Sequence, residues 1–422
     1  MKILLPFWLA LFSLLPSCHP PIAARQGSLT ENSKEALGKP YLLLISCDGF
    51  RWDYVERFQP QRLKDFIAKG VAAESMIPCY PSKTFPNHFS IATGMYPDHH
   101  GLVDNSFYSP NKKAEYRTRD REKVEDGSWY GGTPIWVQAT KSGMVTASYF
   151  FVGSEADVQG IRPTYYHQYD GSVSNNDRVD AVLDWLKLPE KQRPHLITLY
   201  FSDMDDVGHR YGPHADEQLR EALLKLDESL GRLFDGISAT GLPVTTIIVS
   251  DHGMYAVPVD QLIATETVED DDRYRTVSNG ALIHFYLHDG VDKAAVFHDL
   301  KEKENHFRVY YTEEVPYFET PPTSENWGDI MAIPDAGWYF ASQRTIGLRK
   351  TGGQKEIGEH GYDPGIKDLQ GIFYANGPSI QKGLRIGSFK NIHVYPFMCK
   401  ILGIDIPENV DGDLNILQGV LK

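Results

Sequence analysis

The stretch Tyr41-Leu42-Leu43-Leu44-Ile45-Ser46-Cys47-Asp48-Gly49-Phe50-Arg51 decides the fold class. Its first seven residues form an almost unbroken apolar run of strand length, without polar alternation. Such a run suits a strand buried on both faces of a parallel sheet. In open α/β sheets, ligands gather beyond the carboxyl ends of the strands, so Asp48 stands where a binding carboxylate would be useful. Taken alone, an Asp-Gly pair after a strand is more often an ordinary turn. The pattern recurs twice. His195-Leu196-Ile197-Thr198-Leu199-Tyr200-Phe201 leads into Ser202-Asp203-Met204-Asp205-Asp206-Val207-Gly208-His209. Val244-Thr245-Thr246-Ile247-Ile248-Val249-Ser250 leads into Asp251-His252-Gly253-Met254. Helical patterns lie between these strands: residues 61–69, stopped by Gly70; 133–139; 177–186, with Val179, Val182, Leu183 and Leu186 on one face; and 214–237, with a stripe of Leu219, Leu223, Leu226, Leu230, Leu233 and Phe234. Further strands are expected at 145–151, 281–287 and 371–375, and a last helix at 394–402. The fold class is α/β, with a mostly parallel central sheet flanked by helices.

Ser82-Lys83-Thr84-Phe85-Pro86-Asn87-His88 is a second decisive stretch. Pro86 fits the first turn of a helix, Phe89, Ile91 and Ala92 its body, and Gly94 its stop. Thr84 then lies at a helix N-terminus, as an N-cap or as a hydroxyl facing a bound anion. His99 and His100 are adjacent, their side chains diverge, and they read as surface histidines. Asn105 ends the loop His100-Gly101-Leu102-Val103-Asp104-Asn105 and can donate an amide N–H to an oxyanion.

The chain has 422 residues, 41% hydrophobic and 23% charged, enough for one large domain with a substantial insertion. A formal charge of −14 argues against binding nucleic-acid polymers. Small nucleotides stay open, because bound metal ions can invert the local field. Residues 1–17 read as a signal peptide, Lys2 followed by an apolar run from Ile3 to Leu15. Leu15-Pro16-Ser17-Cys18 resembles a bacterial lipoprotein cleavage box. Cys18 would then carry a lipid anchor to the membrane and residues 18–38 form a tether, with the protein facing the periplasm or cell surface; ordinary cleavage nearby is the alternative. Cys47, Cys79 and Cys399 read as buried thiols. Residues 39–422 form the main domain, and 255–355, where the pattern loosens, an inserted subdomain.

Three strand ends carry Asp48, Asp205 with His209, and Asp251 with His252, and a later Gly-flanked loop carries His360. Each alone is a weak signal. Together they supply three carboxylates and three imidazoles on one sheet edge, a full ligand set for two metal ions with a hydroxyl nucleophile between them. Two ions about 3.5–4 Å apart can clamp the attacking and leaving oxygens of an in-line phosphoryl displacement.

Asp48-Gly49-Phe50-Arg51, Lys83 through His88, His100 through Asn105, Asp205 through His209, Asp251-His252-Gly253-Met254 and Gly358-Glu359-His360-Gly361-Tyr362 stand in one particular order. In that order the chain resembles the nucleotide pyrophosphatase/phosphodiesterase family of the alkaline phosphatase superfamily, over residues 40–400. The resemblance implies an alkaline-phosphatase-like fold and two Zn2+ ions. One would be held by Asp205, His209 and His360. The other would be held by Asp48, Asp251 and His252 and would also bind Thr84, the nucleophile of a phosphothreonine-type intermediate. Asn105 and the Thr84 backbone N–H would bind a non-bridging oxygen, and Phe85, Tyr200 and Tyr169 would form the aromatic slot. The implied reaction is hydrolysis of nucleotide phosphodiester or pyrophosphate bonds to nucleoside monophosphates. The alternatives are a phospholipid head-group diesterase, a phosphonate hydrolase or a silent binding lipoprotein. Where the family has aromatic-Pro-Gly-Ser, this chain has Phe151-Val152-Gly153-Ser154.

Overall fold

The computed structural model describes residues 29–422. The expected signal peptide, Cys18 and the first part of the expected tether lie outside the described residues. Residues 31–38 do not hang as a tether. The Asn32 amide donates to Glu190 O and Arg193 O at 3.0 and 2.8 Å, accepts from Val145 N at 2.7 Å, and Ala36 is buried. The main domain therefore begins before residue 39, because Asn32 satisfies backbone groups of the 190–193 loop and of Val145, just before the strand Thr146–Tyr149. Among the described residues no helix is long and apolar enough to cross a membrane.

The central sheet has eight strands: β1 (Tyr41–Cys47), β2 (Val71–Ala73), β3 (Thr146–Tyr149), β4 (Tyr165–His167), β5 (Leu196–Phe201), β6 (Val244–Val249), β7 (Phe373–Asn376) and β8 (Leu384–Ile386). Their order is β8-β2-β7-β6-β1-β5-β3-β4. β7 alone runs antiparallel to its neighbours. Every residue of β1 is buried. Leu42 and Leu44 join the core on one face, Leu43 and Ile45 the core on the other, which is why the run shows no alternation. The parallel register pairs Ser46 with both Tyr200 and Val249. Three adjacent strands therefore end level, and the chain leaves each of them at the same edge.

Three helices matter for that edge: α1 (Thr84–Thr93), α2 (Asp203–Tyr211) and α3 (Asp216–Thr240). α1 ends on Gly94 in the left-handed region, its N–H returning to Ser90 O. α3 buries Leu219, Leu223, Leu226, Leu230 and Leu233 against the sheet, and Asp227 lies buried in the same stripe. Asp227 accepts from the backbone N–H groups of Arg62 and Leu63 at 2.9 and 2.8 Å. The helix Gln61–Ala68 starts after Pro60, which has no capping side chain, so α3 caps it from across the interface.

Residues 255–355, expected as an insertion, leave through Tyr255–Pro258 and return through Glu356–Glu359, which pair antiparallel with Tyr255 opposite Glu359. Within it, Tyr274–Ser278, Ile283–Leu287, Ile330–Pro334 and Phe307–Tyr311 make a four-stranded antiparallel sheet with its own core. Buried polar contacts tie it to the main domain. Asp98 accepts from Trp327 Nε1 and the Thr323 and Ser324 N–H groups, and Asp104 Oδ2 lies 3.1 Å from His284 Nε2. Tyr317 and Phe318 pack on Tyr80, and Glu319 accepts from Tyr80 N–H at 3.1 Å. Burial pushes the Glu319 carboxyl up to about 7, only partly opposed by Lys390. His100, expected at the surface, is fully buried, with Nε2 3.0 Å from Ser90 Oγ. The ring packs edge-on to Phe89, and burial lowers its pKa to about 3, so it stays neutral.

Asp227→Ala strips two N–H groups of their acceptor and should cost about 1–3 kcal/mol in urea unfolding; an unchanged midpoint would disprove the cap. Glu319 binds its proton more tightly folded than unfolded, so its contribution is present at low pH and lost as pH rises from its unfolded value of about 4.3 through its folded value of about 7. Glu319→Gln should therefore raise stability relative to wild type at pH 8 by on the order of 2 kcal/mol and leave it little changed at pH 4.5. Parallel stability–pH curves for the two proteins would contradict this.

Candidate active site

The structure brings Asp205, His209 and His360 together, and separately Asp48, Asp251 and His252; within each triplet one ligand atom per residue lies within 4.8 Å of the others. The carboxyl ends of β1 and β6 deliver Asp48 and Asp251, and α2, which comes directly after β5, presents Asp205 and His209 one turn apart. The neck of the insertion supplies the last member of the triplets, His360. Because Tyr255 pairs with Glu359, His360 returns beside His252, and the rings stack at 3.6 Å between centroids. Gly49 makes the approach possible: its φ is 64°, and a Cβ there would lie 2.8 Å from the Asp205 Cα.

The imidazoles are oriented alike. His209 Nδ1 meets Gly358 O at 2.8 Å, His252 Nδ1 meets Gly253 O at 2.8 Å, and His360 Nδ1 meets Ser82 O at 2.7 Å. Each Nδ1–H donates to a carbonyl, which turns Nε2 inward as the atom that a metal ion would take. His209 Nε2 and His360 Nε2 are then 3.2 Å apart, and both lie within 4 Å of Asp205 Oδ1. In the other triplet, His252 Nε2 is 3.4 Å from Asp48 Oδ1 and 3.0 Å from Asp251 Oδ2.

These donors fit metal ions. Asp48 Oδ1, Asp205 Oδ1 and Asp251 Oδ2 are buried carboxylate oxygens without a hydrogen bond. Burial and the charges of Asp251 and Asp205 push Asp48 well above the usual carboxylate range. Burial opposes the charge on His209, but the Asp205 and Glu359 carboxylates outweigh it and raise its pKa to about 10. Burial, aided by His252 and Lys83, holds His360 neutral. Aspartate–imidazole sets of this size are ordinary zinc donors.

Thr84 opens α1 at its first position and Lys83 occupies the N-cap position, so Thr84 caps nothing. Its Oγ1 is 3.3 Å from His252 Nε2. Its N–H, at the start of the helix, has no intrahelical acceptor. Asn105 Oδ1 accepts the Phe85 N–H at 2.9 Å, which fixes the amide and leaves the Nδ2 end to donate. Tyr200 donates its hydroxyl to Asp48 Oδ2 at 2.7 Å, so it orients a ligand as well as presenting a ring. Tyr169, 45% exposed, stands edge-on 6.2 Å from Tyr200, whereas Phe85 packs on Tyr116 at 6.3 Å.

Two supports escape a reading of the sequence. Buried His88 has Nε2 2.8 Å from Ser46 Oγ and Nδ1 2.9 Å from Thr84 O and 3.2 Å from Asp251 Oδ2. It braces α1 against the site and has no ring nitrogen free to act as a base on Thr84 Oγ. Its place one helical turn after Thr84 is the available signal; Ser46 has none.

Residues 42–363 match the family described as type I phosphodiesterase / nucleotide pyrophosphatase. Ectonucleotide pyrophosphatase/phosphodiesterase family member 1 of Mus musculus is 34% identical over 397 residues, 91% of this chain, which spans 43% of that relative's length. Bis(5'-adenosyl)-triphosphatase ENPP4 of Bos taurus is 32% identical over 376 residues, covering 88% of this chain and 80% of the relative. Among solved structures, murine ectonucleotide pyrophosphatase / phosphodiesterase 5 superposes with a TM-score of 0.83 at 25% identity, over 90% of this chain and all of that one. Its inactive T72A form has been solved in complex with AMP, with the same TM-score of 0.83. An α/β sheet ending in these two triplets, matched over most of its length, makes this chain a member of the type I phosphodiesterase / nucleotide pyrophosphatase family, with an alkaline-phosphatase-like fold.

Proposed function

We propose that this protein is a two-zinc phosphodiesterase that hydrolyses nucleotide phosphodiester or pyrophosphate bonds and releases nucleoside monophosphates through a covalent intermediate on Thr84. The observation that carries the reading is the Thr84 hydroxyl, set at a helix N-terminus 3.3 Å from the Nε2 of one ligand triplet, with the second triplet beside it. Zinc held by Asp205, His209 and His360, and by Asp48, Asp251 and His252, would supply the positive charge that stabilises the phosphoryl oxygens and favours the threonine alkoxide.

The chain's own groups do the rest. Thr84 Oγ forms a bond to phosphorus as the bond to the leaving oxygen breaks on the opposite side, and the leaving group departs with the electron pair. Asn105 Nδ2 and the Thr84 N–H donate to a non-bridging oxygen whose charge grows in the transition state. The α1 N-terminus adds its dipole. Water then displaces Thr84 in a second in-line step, so configuration at phosphorus is retained. Asn105 also sets the substrate class. A neutral amide suits the single charge of a diester, where an arginine fork would suit a monoester. Tyr169 and Tyr200 offer faces for a nucleobase, and the ENPP5 complex with AMP is consistent with that choice.

The zinc-loaded protein should cleave a nitrophenyl ester of a nucleoside monophosphate in preference to nitrophenyl phosphate, and a chelator should abolish the activity. Thr84→Ala should lower kcat at least about a thousandfold while metal content stays at the wild-type level. Normal diester turnover by that variant would rule out the covalent route, and preference for the monoester would rule out the role given to Asn105.

A further inference from the structure

A cavity of about 600 Å3 lies at the β8 edge of the central sheet, bounded by residues 52–59, the helix Gln61–Ala68 and the strands β2, β7 and β8. Neither triplet lines it, nor does Thr84 or Asn105. We propose that this cavity is a second ligand site, for a small carboxylate with an apolar aryl or alkyl body.

Strand register sets its polar end. Tyr374 of β7 and Arg385 of β8 both pair with Ala72 of β2, so the three side chains stand in a row on one face of the sheet. With only a methyl group between them, nothing bulky separates the phenol from the guanidinium. Tyr374 is 4% exposed and lines the cavity, and among the described residues its hydroxyl makes no hydrogen bond. Burial pushes its pKa up and nearby Arg385 opposes the rise, so the hydroxyl stays a neutral donor at ordinary pH. Arg385 makes no ion pair or hydrogen bond among the described residues, although it lines the same cavity. Two donors thus converge without an acceptor, and a largely buried hydroxyl left in that state is costly unless a ligand or water completes it.

The other charges around the cavity are mostly spent on each other. Asp53 is held by Arg51 at 2.7 Å and Arg57 at 3.7 Å, and Glu74 by Lys367 at 2.8 Å. Arg57 also holds Asp216. The Lys64 ammonium donates to Gln59 Oε1 and meets no carboxylate. Lys64 and Arg385 then stand against exposed Glu56, a balance that favours one negative charge. The volume far exceeds what a carboxylate needs, and Val55, Ile67, Ala68 and the Trp52 side chain line the rest. A cavity of this size, with an apolar wall and a few convergent polar groups, fits a small organic ligand. Its carboxylate would accept from the phenol and from two N–H groups of the guanidinium, while its body covers the apolar wall. A bare anion would leave that wall wet, and a cation would meet Arg385.

Calorimetric titration of the full chain as isolated tests the site. The probes are 3-phenylpropionate, octanoate, the neutral 3-phenylpropionamide and acetate, each added to wild type, Arg385→Met, Arg385→Lys and Tyr374→Phe. At least one of the two larger carboxylates should bind saturably, and more tightly than both the amide and acetate. Arg385→Met should weaken that binding about ten- to hundredfold, the size of a charge-assisted hydrogen bond, and Tyr374→Phe about three- to tenfold. Arg385→Lys should restore part of the loss, and thermal melts of the unliganded variants should match wild type. A carboxylate bound at the metal triplets instead would be indifferent to Arg385→Met and would compete with the nitrophenyl ester. That pattern, equal affinity for the amide, or no saturable binding of either larger carboxylate overturns the site.

Discussion

Three carboxylates buried at neighbouring strand ends, each with an oxygen left without a hydrogen bond, are the constraint on which the site depends. Uncompensated charge in such a place is expensive, and mutual repulsion adds to the cost. Protons relieve it in part, which is why Asp48 is pushed up and His209 titrates near 10. Divalent cations would relieve it further by displacing the extra proton of His209, because carbonyls at the three Nδ1 atoms already turn each Nε2 inward. The same carbonyl contacts fix the three rings by protein groups alone. Rigidity of this kind, built into the fold, is what electrostatic preorganisation requires.

The fold meets the constraint through register and through the insertion's neck. Parallel pairing ends β1, β5 and β6 level, so the residues just beyond them share one edge. The antiparallel neck then returns His360 to that edge after an excursion of about a hundred residues, and Gly49 and Gly361 clear the space that the converging segments need. The excursion is not idle structure. Its loop 323–327 and His284 grip Asp98 and Asp104 on either side of the turn that leads to Asn105. The subdomain thereby holds the loop that carries Asn105, and it also walls the cleft lined by Lys83.

The main sheet is legible in the sequence because its strands announce themselves by unbroken apolar runs and its helices by apolar stripes at helical spacing. The strand-end acids are legible for the same reason: a carboxylate after a doubly buried strand has few places to be. What escapes is set by contacts across long sequence separations. His100 reads as a surface residue until Ser90 and Phe89 enclose it. Asn32 reads as tether until the backbone of residues 190–193 is seen to need its amide. The capping role of Asp227 and the bracing role of His88 depend on partners that no local pattern marks. The hairpin Ser106–Ser109 with Ala114–Arg117 lies in a polar stretch without clear alternation.

The most direct test is the metal content of the protein as isolated, read by elemental analysis alongside its thermal unfolding. Two zinc equivalents per chain, with a marked loss of Tm after chelation that zinc restores, is the result this account predicts. A fully active protein that carries less than one equivalent, with a Tm indifferent to chelator, would contradict it.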